Sequence, residues 1–166
     1  MNQIKHQNQV ETTNDFSIYS KASMCAQGYA NDKFIKYFVT DLKARRSPLI
    51  HRGYYLRFKA IEWIFQNYHH QIDVIVSLGC GFDTSALRYS NMKFVEIDFP
   101  FVAMRKAQIL TANKLMEPNK ITNCEDSKLK IVFKTNNYCL IAGDLRNCND
   151  LCKLLVDNEI VDRQTR

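Results

Sequence analysis

The sequence predicts an α/β fold built on a parallel, Rossmann-type sheet, and three observations lead there. Apolar runs over 74–78, 94–98 and 138–142 alternate with segments of helical spacing, the βαβαβ order that makes parallel strands. The first run opens directly into Gly79-Cys80-Gly81, where two residues without a Cβ allow a sharp turn and close approach of a ligand. The second run ends in Asp98, nineteen positions after Gly79. A separation of roughly 20 places a carboxylate at the next strand tip, where it takes the hydroxyls of a ribose.

The elements follow in order. A polar start over 1–13, without a secretory apolar core or an arginine-rich amphipathic pattern, reads as a flexible tail on a cytoplasmic protein, leaving 14–166 as the folded domain. Residues 17–27 read as a helix closed by Gly28, and Asp32 is placed to cap a second helix through Phe34, Tyr37 and Phe38. Ser47-Pro48 is the clearest helix start, a capping residue followed by proline at the first helical position. From there Leu49, Tyr54, Leu56, Ala60, Ile61, Ile64, Phe65 and Tyr68 recur at three and four spacing, the pattern of a buried face. The stretches 84–89 and 101–114 should be helices covering the sheet, and 129–133 an additional strand.

The glycine turn separates two cofactor classes. A dinucleotide site reads G-x-G-x-x-G, the third glycine allowing helix and strand to close around a pyrophosphate. Here Thr84 stands in that third place. S-adenosylmethionine has no phosphate and needs only the close-approach glycines and the ribose carboxylate, so the departure favours a methyl donor. An ordinary βα turn is the alternative reading of so short a motif.

Composition sets outer limits. At 166 residues there is material for one domain, and the 46% hydrophobic share is ordinary for a globular chain. No apolar run approaches the roughly 20 residues of a membrane span. The six cysteines include no C-x-x-C pair and the histidines no H-x-x-x-H, so no metal site is expected; Cys148 and Cys152, four apart on an expected helix, read as packing residues. A formal charge of +6 suits attraction to RNA phosphates, although the lysines are scattered.

Beyond these local patterns, a set of blocks recurs in order: Asn14-Asp15 with Ser20-Lys21, Gly28-Tyr29, Arg45-Arg46-Ser47-Pro48-Leu49-Ile50-His51-Arg52-Gly53-Tyr54-Tyr55, Ser77-Leu78-Gly79-Cys80-Gly81-Phe82-Asp83-Thr84, Glu96-Ile97-Asp98-Phe99-Pro100 and Gly143-Asp144-Leu145-Arg146. Together they resemble the leucine carboxyl methyltransferase family. The resemblance implies a Rossmann-like S-adenosylmethionine-dependent methyltransferase fold, with amino-terminal helices and, in this chain, an incomplete parallel sheet. One branch of that family methylates the terminal leucine carboxylate of the protein phosphatase 2A catalytic subunit. The other, the tRNA wybutosine-synthesizing protein 4 branch, modifies a tricyclic guanosine beside the anticodon of phenylalanine tRNA. Leu49-Ile50-His51 before Arg52-Gly53-Tyr54 is more similar to the tRNA branch, which makes that tRNA the expected partner and the phosphatase subunit the alternative.

The site residues can be taken one at a time. Gly79 lets the methionine part of the cofactor lie against the turn, and Asp98 accepts from the ribose hydroxyls. Glu96 neighbours Asp98 on one side of the strand, and a solvated strand end is the alternative for both. The resemblance implies that Asp144 binds the adenine amine while Leu145 packs on the ring; capping the helix entering at 147–149 is the competing role for Asp144. It also implies that Arg57 and Lys21 hold the methionine carboxylate, a bidentate match for arginine in particular. Lys21 departs from the family pattern in being followed by Ala22, and Arg52 stands as a candidate to face the substrate. The expected reaction is in-line methyl transfer to a carboxylate that is already ionised at neutral pH, so no general base is required and no catalytic residue is singled out. The family pattern continues with a fourth strand where this sequence ends at Arg166, so the chain reads as shortened, with its first strand left as an apolar edge and an inactive, cofactor-binding or partner-binding form as a third reading.

Overall fold

A computed structural model describes residues 2–40, 46–122, 129–158 and 160, with side chains from residue 14 onward. Arg45, Cys124 and residues 161–166 lie outside the described residues. The chain divides into two units, Met1–His70 with Phe82–Thr84, and Gln71–Gly81 with Ser85–Arg166.

In the first unit, helix α1 spans Asn2–Ala26 and is closed by Gly28 at φ +79°, the left-handed conformation that favours glycine. The stretch 2–13, expected as a tail, is thus helical: nothing between Asn2 and Ala26 is a glycine or a proline, so no residue stops the helix. Its buried side holds Ile18, Ser20, Ala22, Ser23 and Met24. The second helix expected after Asp32 is only a 3-10 turn, Ile35–Tyr37, because Asp32 Oδ1 accepts from Phe34 N (3.0 Å) and closes a tight local turn instead. Helix α2, Pro48–Tyr68, starts as expected at Ser47, whose side chain accepts from Ile50 N. It packs on α1, where the buried His51 meets Ser23 Oγ at 2.9 Å and stacks obliquely on Tyr29.

The buried face predicted for α2 is not what forms. Among its apolar residues only Phe65 is buried, while Leu49 is 80% and Leu56 66% exposed, with Ile61, Trp63, Ile64 and Tyr68 also exposed. Periodicity marks a stripe able to pack; it does not say what packs on it.

The second unit carries a five-stranded sheet: β1 (Ile75–Leu78), β2 (Phe94–Asp98), β3 (Lys120–Ile121), β4 (Lys130–Lys134) and β5 (Tyr138–Ala142), in the order β1-β2-β5-β4-β3. Strands β1, β2 and β5 are parallel, with Asp98 level with Ala142. The sheet is mixed, not parallel throughout, because β4 runs antiparallel to both of its neighbours, β5 and β3. Only Thr135-Asn136-Asn137 separates β4 from β5, too few residues for the crossover that a parallel pair needs, and Thr135 N bonds to Tyr138 O across the hairpin. The helices α3 (Ser85–Arg88), α4 (Pro100–Ala112) and α5 (Cys148–Asp157) complete the unit.

Every residue of β2 and β5 is buried, as expected of central strands covered on both faces. One face, with Val95, Ile97, Cys139 and Ile141, packs with Ile131, Leu151 and Ile160. The other carries Phe94, Glu96, Tyr138 and Leu140, and α4 packs against β2 and β5. Fully burying an aliphatic or aromatic side chain contributes about 1.5–3 kcal/mol, so these two strands are the energetic centre of the unit. Strand β1 occupies an edge, with Val76 and Leu78 exposed. Cys148 and Cys152 lie on α5 but are exposed, not packed: the apolar stripe of that helix falls on Leu151, Leu154 and Leu155.

Candidate cofactor site

Parallel strands place their carboxyl ends on one edge of the sheet, where α/β folds bind ligands. Here those ends carry Gly79, Asp98 and Asp144. Gly79 and Gly81 both adopt positive φ, +66° and +51°, which explains why glycine stands at each. Among the described residues, nothing outside the adjoining backbone lies within 4 Å of where a Cβ at Gly79 would stand. The turn is latched to β2 through the backbone, Gly79 N and Cys80 N both donating to Ile97 O at 2.9 and 3.1 Å.

Asp98 closes that latch. Its Oδ2 accepts from Gly81 N at 2.6 Å and its Oδ1 from Phe99 N at 2.7 Å, while its main-chain oxygen accepts from Gly143 N at 2.9 Å. The side chain is therefore not a solvated strand end but the junction of the three strand tips. A carboxylate offers about four lone-pair sites. Two engage the backbone here, and the remaining capacity fits a pair of ribose hydroxyls. The open space at Gly79 and the acceptor at Asp98 are a fit for an adenosine-bearing ligand.

Asp144 and Leu145 follow β5. The Asp144 carboxylate receives Arg146 through Nε (3.0 and 2.8 Å) and Nη2, and its Oδ1 accepts from Arg146 N at 2.9 Å. It caps no helix, since α5 begins at Cys148 after Asn147, which makes no side-chain cap. Bonds from Arg146 hold the Asp144 carboxyl below its usual range. Leu145 is exposed. Before it, Gly143 is required by packing: a Cβ there would run into the Leu129 side chain and approach its Cα to 3.2 Å.

In the first unit, Lys21 of α1 donates to Asp83 Oδ2 at 2.8 Å, so it is engaged by a residue of the turn motif itself. Thr84, in place of the third glycine, donates to Asp32 Oδ2, and Phe82 packs obliquely on Phe38. Thr84 thus has a hydrogen-bonding role that a glycine could not fill. Arg57 and Arg52 are exposed on α2.

Glu96, for which a solvated strand end was the alternative, is buried instead, and the two residues that meet it, Lys106 and Tyr138, went unnoticed in the sequence. Glu96, 1% exposed, receives Lys106 Nζ at 2.5 Å and the Tyr138 hydroxyl at 2.6 Å on the same Oε2. Burial, with the Glu96 charge beside it, pushes the Tyr138 hydroxyl well above its ordinary pKa of 10.0, so it remains a donor at neutral pH. The signal was available: Lys106 interrupts the buried stripe Val102, Ala103, Ala107 and Leu110 of α4, and a lone cation there calls for a buried anion. Among the described residues no group of His, Cys, Asp and Glu could hold a metal ion, and no helix is long and apolar enough to cross a membrane.

Comparison with known proteins decides the family. A family model described as leucine carboxyl methyltransferase matches residues 13–165. This chain belongs to the leucine carboxyl methyltransferase family. It is 36% identical over 152 residues to human tRNA wybutosine-synthesizing protein 4, covering 82% of this chain and 22% of that protein. It is 32% identical over 168 residues to leucine carboxyl methyltransferase 1 of Caenorhabditis elegans, covering 90% of this chain and 50% of that protein. The chain thus spans between about a fifth and a half of the length of these relatives. Both names recur among the family members it resembles.

Proposed function

We propose that this chain binds S-adenosylmethionine at the strand tips of the second unit and serves methyl transfer to a substrate carboxylate, forming a methyl ester. The observation that carries the reading is Asp98 clasping Gly81 N at the carboxyl end of parallel strands, beside open space at Gly79. In this reading Gly79 admits the ligand, Asp98 accepts the ribose hydroxyls, and Asp144 with Leu145 takes the adenine once Arg146 gives way. Lys21 and Arg57 are assigned to the methionine carboxylate on the family pattern alone.

The cofactor would supply an electrophilic methyl group on its sulfonium. The chain's part is binding and orientation: the accepting carboxylate is ionised near neutral pH, since such groups titrate near 4, so no residue needs to remove a proton. Positioning and exclusion of water are what remain for the protein to contribute.

For the substrate we favour the wybutosine precursor beside the anticodon of phenylalanine tRNA, supported by the 47–55 block, the formal charge of +6 and the 36% identity to the human wybutosine-synthesizing protein. The phosphatase 2A leucine carboxylate is the second reading, supported by the relatives named leucine carboxyl methyltransferase 1.

Calorimetric titration with S-adenosylmethionine tests the site. Asp98→Ala and Arg57→Ala should each weaken binding about tenfold to a hundredfold, the scale of hydrogen bonds to a charged group. Retained affinity in both would overturn the assignment, as would a folded wild-type chain that binds nothing. Methyl transfer to undermodified phenylalanine tRNA, but not to a peptide ending in the phosphatase leucine, selects the first substrate; the reverse selects the second.

A further inference from the structure

We infer that Glu96 is the positioning residue of the ribose site: joined to Lys106 and Tyr138, it holds the end of β2 so that Asp98 stands where a ribose diol meets it. The inference rests on the proposed role of Asp98 and deepens it.

Side chains along a strand alternate between its two faces with period two. Glu96 and Asp98 project from the same face of β2, two residues apart. The partners of Glu96 come from the two elements that also bound Asp98. Lys106 lies on α4, which begins at Pro100, and the first N–H before that helix, Phe99 N, donates to Asp98 Oδ1. Tyr138 opens β5, and just past the other end of that strand Gly143 N donates to the Asp98 main-chain oxygen. One carboxylate therefore ties together β2, α4 and β5, whose relative placement sets the direction of the Asp98 side chain. A shift of α4 along β2 would rotate the Asp98–Phe99 peptide and turn its N–H away from Asp98 Oδ1; a shift of β5 would carry Gly143 N away from the Asp98 main-chain oxygen.

The chemistry of the clamp supports a geometric role over a purely stabilising one. Glu96 and Lys106 are 1% and 2% exposed. A buried ion pair is generally no more stabilising than apolar side chains of the same volume, because desolvation offsets the attraction. What it provides beyond hydrocarbon is direction: the ammonium and the hydroxyl must both reach one oxygen. Apolar side chains in their place would tolerate sliding.

The test separates a grip on the ribose from general loosening. Affinity of the full chain is measured for S-adenosylhomocysteine and for its analogue lacking both ribose hydroxyls, together with the thermal midpoint. Tyr138→Phe keeps the ring and removes only the hydroxyl. Glu96→Gln combined with Lys106→Met removes both charges of the pair at once, so it guards against the unfolding that a single buried charge would cause. Tyr138→Phe is expected to weaken S-adenosylhomocysteine about threefold and the paired variant about tenfold, with the hydroxyl-free analogue unchanged within about twofold, the scale at which misplaced supporting groups act. Neither variant should weaken binding further in an Asp98→Ala background.

Equal losses for both ligands, or no loss for either, overturn the inference. The underlying reading has its own control: Asp98→Ala must itself weaken only the ligand bearing the hydroxyls. If it does and the clamp variants do not, the clamp fails alone; if it does not, or if the chain binds neither ligand, both fall together.

Discussion

Strands β2 and β5 and helix α2 are the apolar-rich stretches that the sequence marks most clearly for burial, and they end in opposite environments. Every residue of β2 and β5 is buried, including two charged ones, whereas α2 buries only His51 and Phe65 along twenty-one residues. The difference lies in how each element meets its neighbours. A central strand has a hydrogen-bonded strand on either side and a layer on each face, so burial follows from its place in the sheet. A helix buries only the stripe that a neighbour covers, and the apolar residues of α2 spread around more of its circumference than that stripe.

Breaking the buried charges should give the largest effect. Lys106→Ala removes the ammonium that meets Glu96 Oε2, and should cost about 3–5 kcal/mol of stability by urea denaturation. A loss under about 1 kcal/mol would mean that water reaches Glu96. Ile141→Ala, at a position with no exposure, should cost about 2–5 kcal/mol, while Leu56→Ala on α2 should stay within about 0.5 kcal/mol. Equal costs for the two would mean that α2 is covered in solution.

Thiol reactivity sharpens the same contrast at smaller amplitude. Burial pushes the Cys139 thiol on β5 up to about 11, while Cys148 and Cys152 are exposed on α5. At pH 8, iodoacetamide should modify Cys148 and Cys152 and leave Cys139 intact until the chain unfolds. The raised value also has a sign for stability. Below the ordinary thiol pKa both folded and unfolded states hold the proton and the contribution is complete. Between about 9 and about 11 the unfolded chain ionises first, so stability falls as pH rises through that window. A denaturation midpoint flat across this range in wild type, or unaltered in Cys139→Ala, would count against it.

The smallest effect is expected at the solvent-facing end of β5. Arg146→Ala should return the Asp144 carboxyl towards its ordinary value, read from an NMR titration. The depressed value contributes stability above the unfolded pKa and loses it as pH falls through the folded one. Arg146 is fully open to solvent, so thermal stability should hardly change.

Much of the candidate site was legible in advance. The glycine turn, the carboxylate nineteen residues later and the start of α2 at Ser47-Pro48 each depend on local chemistry: which residues adopt positive φ, cap a helix or end a strand. The bounds of β2 and β5 were legible for the same reason, as short β-rich apolar runs. The antiparallel β4 was only half visible. Its apolar run stood out, but its direction depended on counting the three residues before β5.

The αβ alternation, the turn at Gly79–Gly81, the placement of Asp98 at a strand tip and the family are all written in neighbouring residues or in blocks of fixed order. That Glu96 is a buried anion, that Thr84 bonds to Asp32, that Lys21 is held by Asp83 and that the stripe of α2 stays exposed emerge only once the chain is packed. Those outcomes depend on which groups distant in sequence arrive at the same place, and burial, which sets the cost of a charge and the value of an apolar surface, is a property of that arrival.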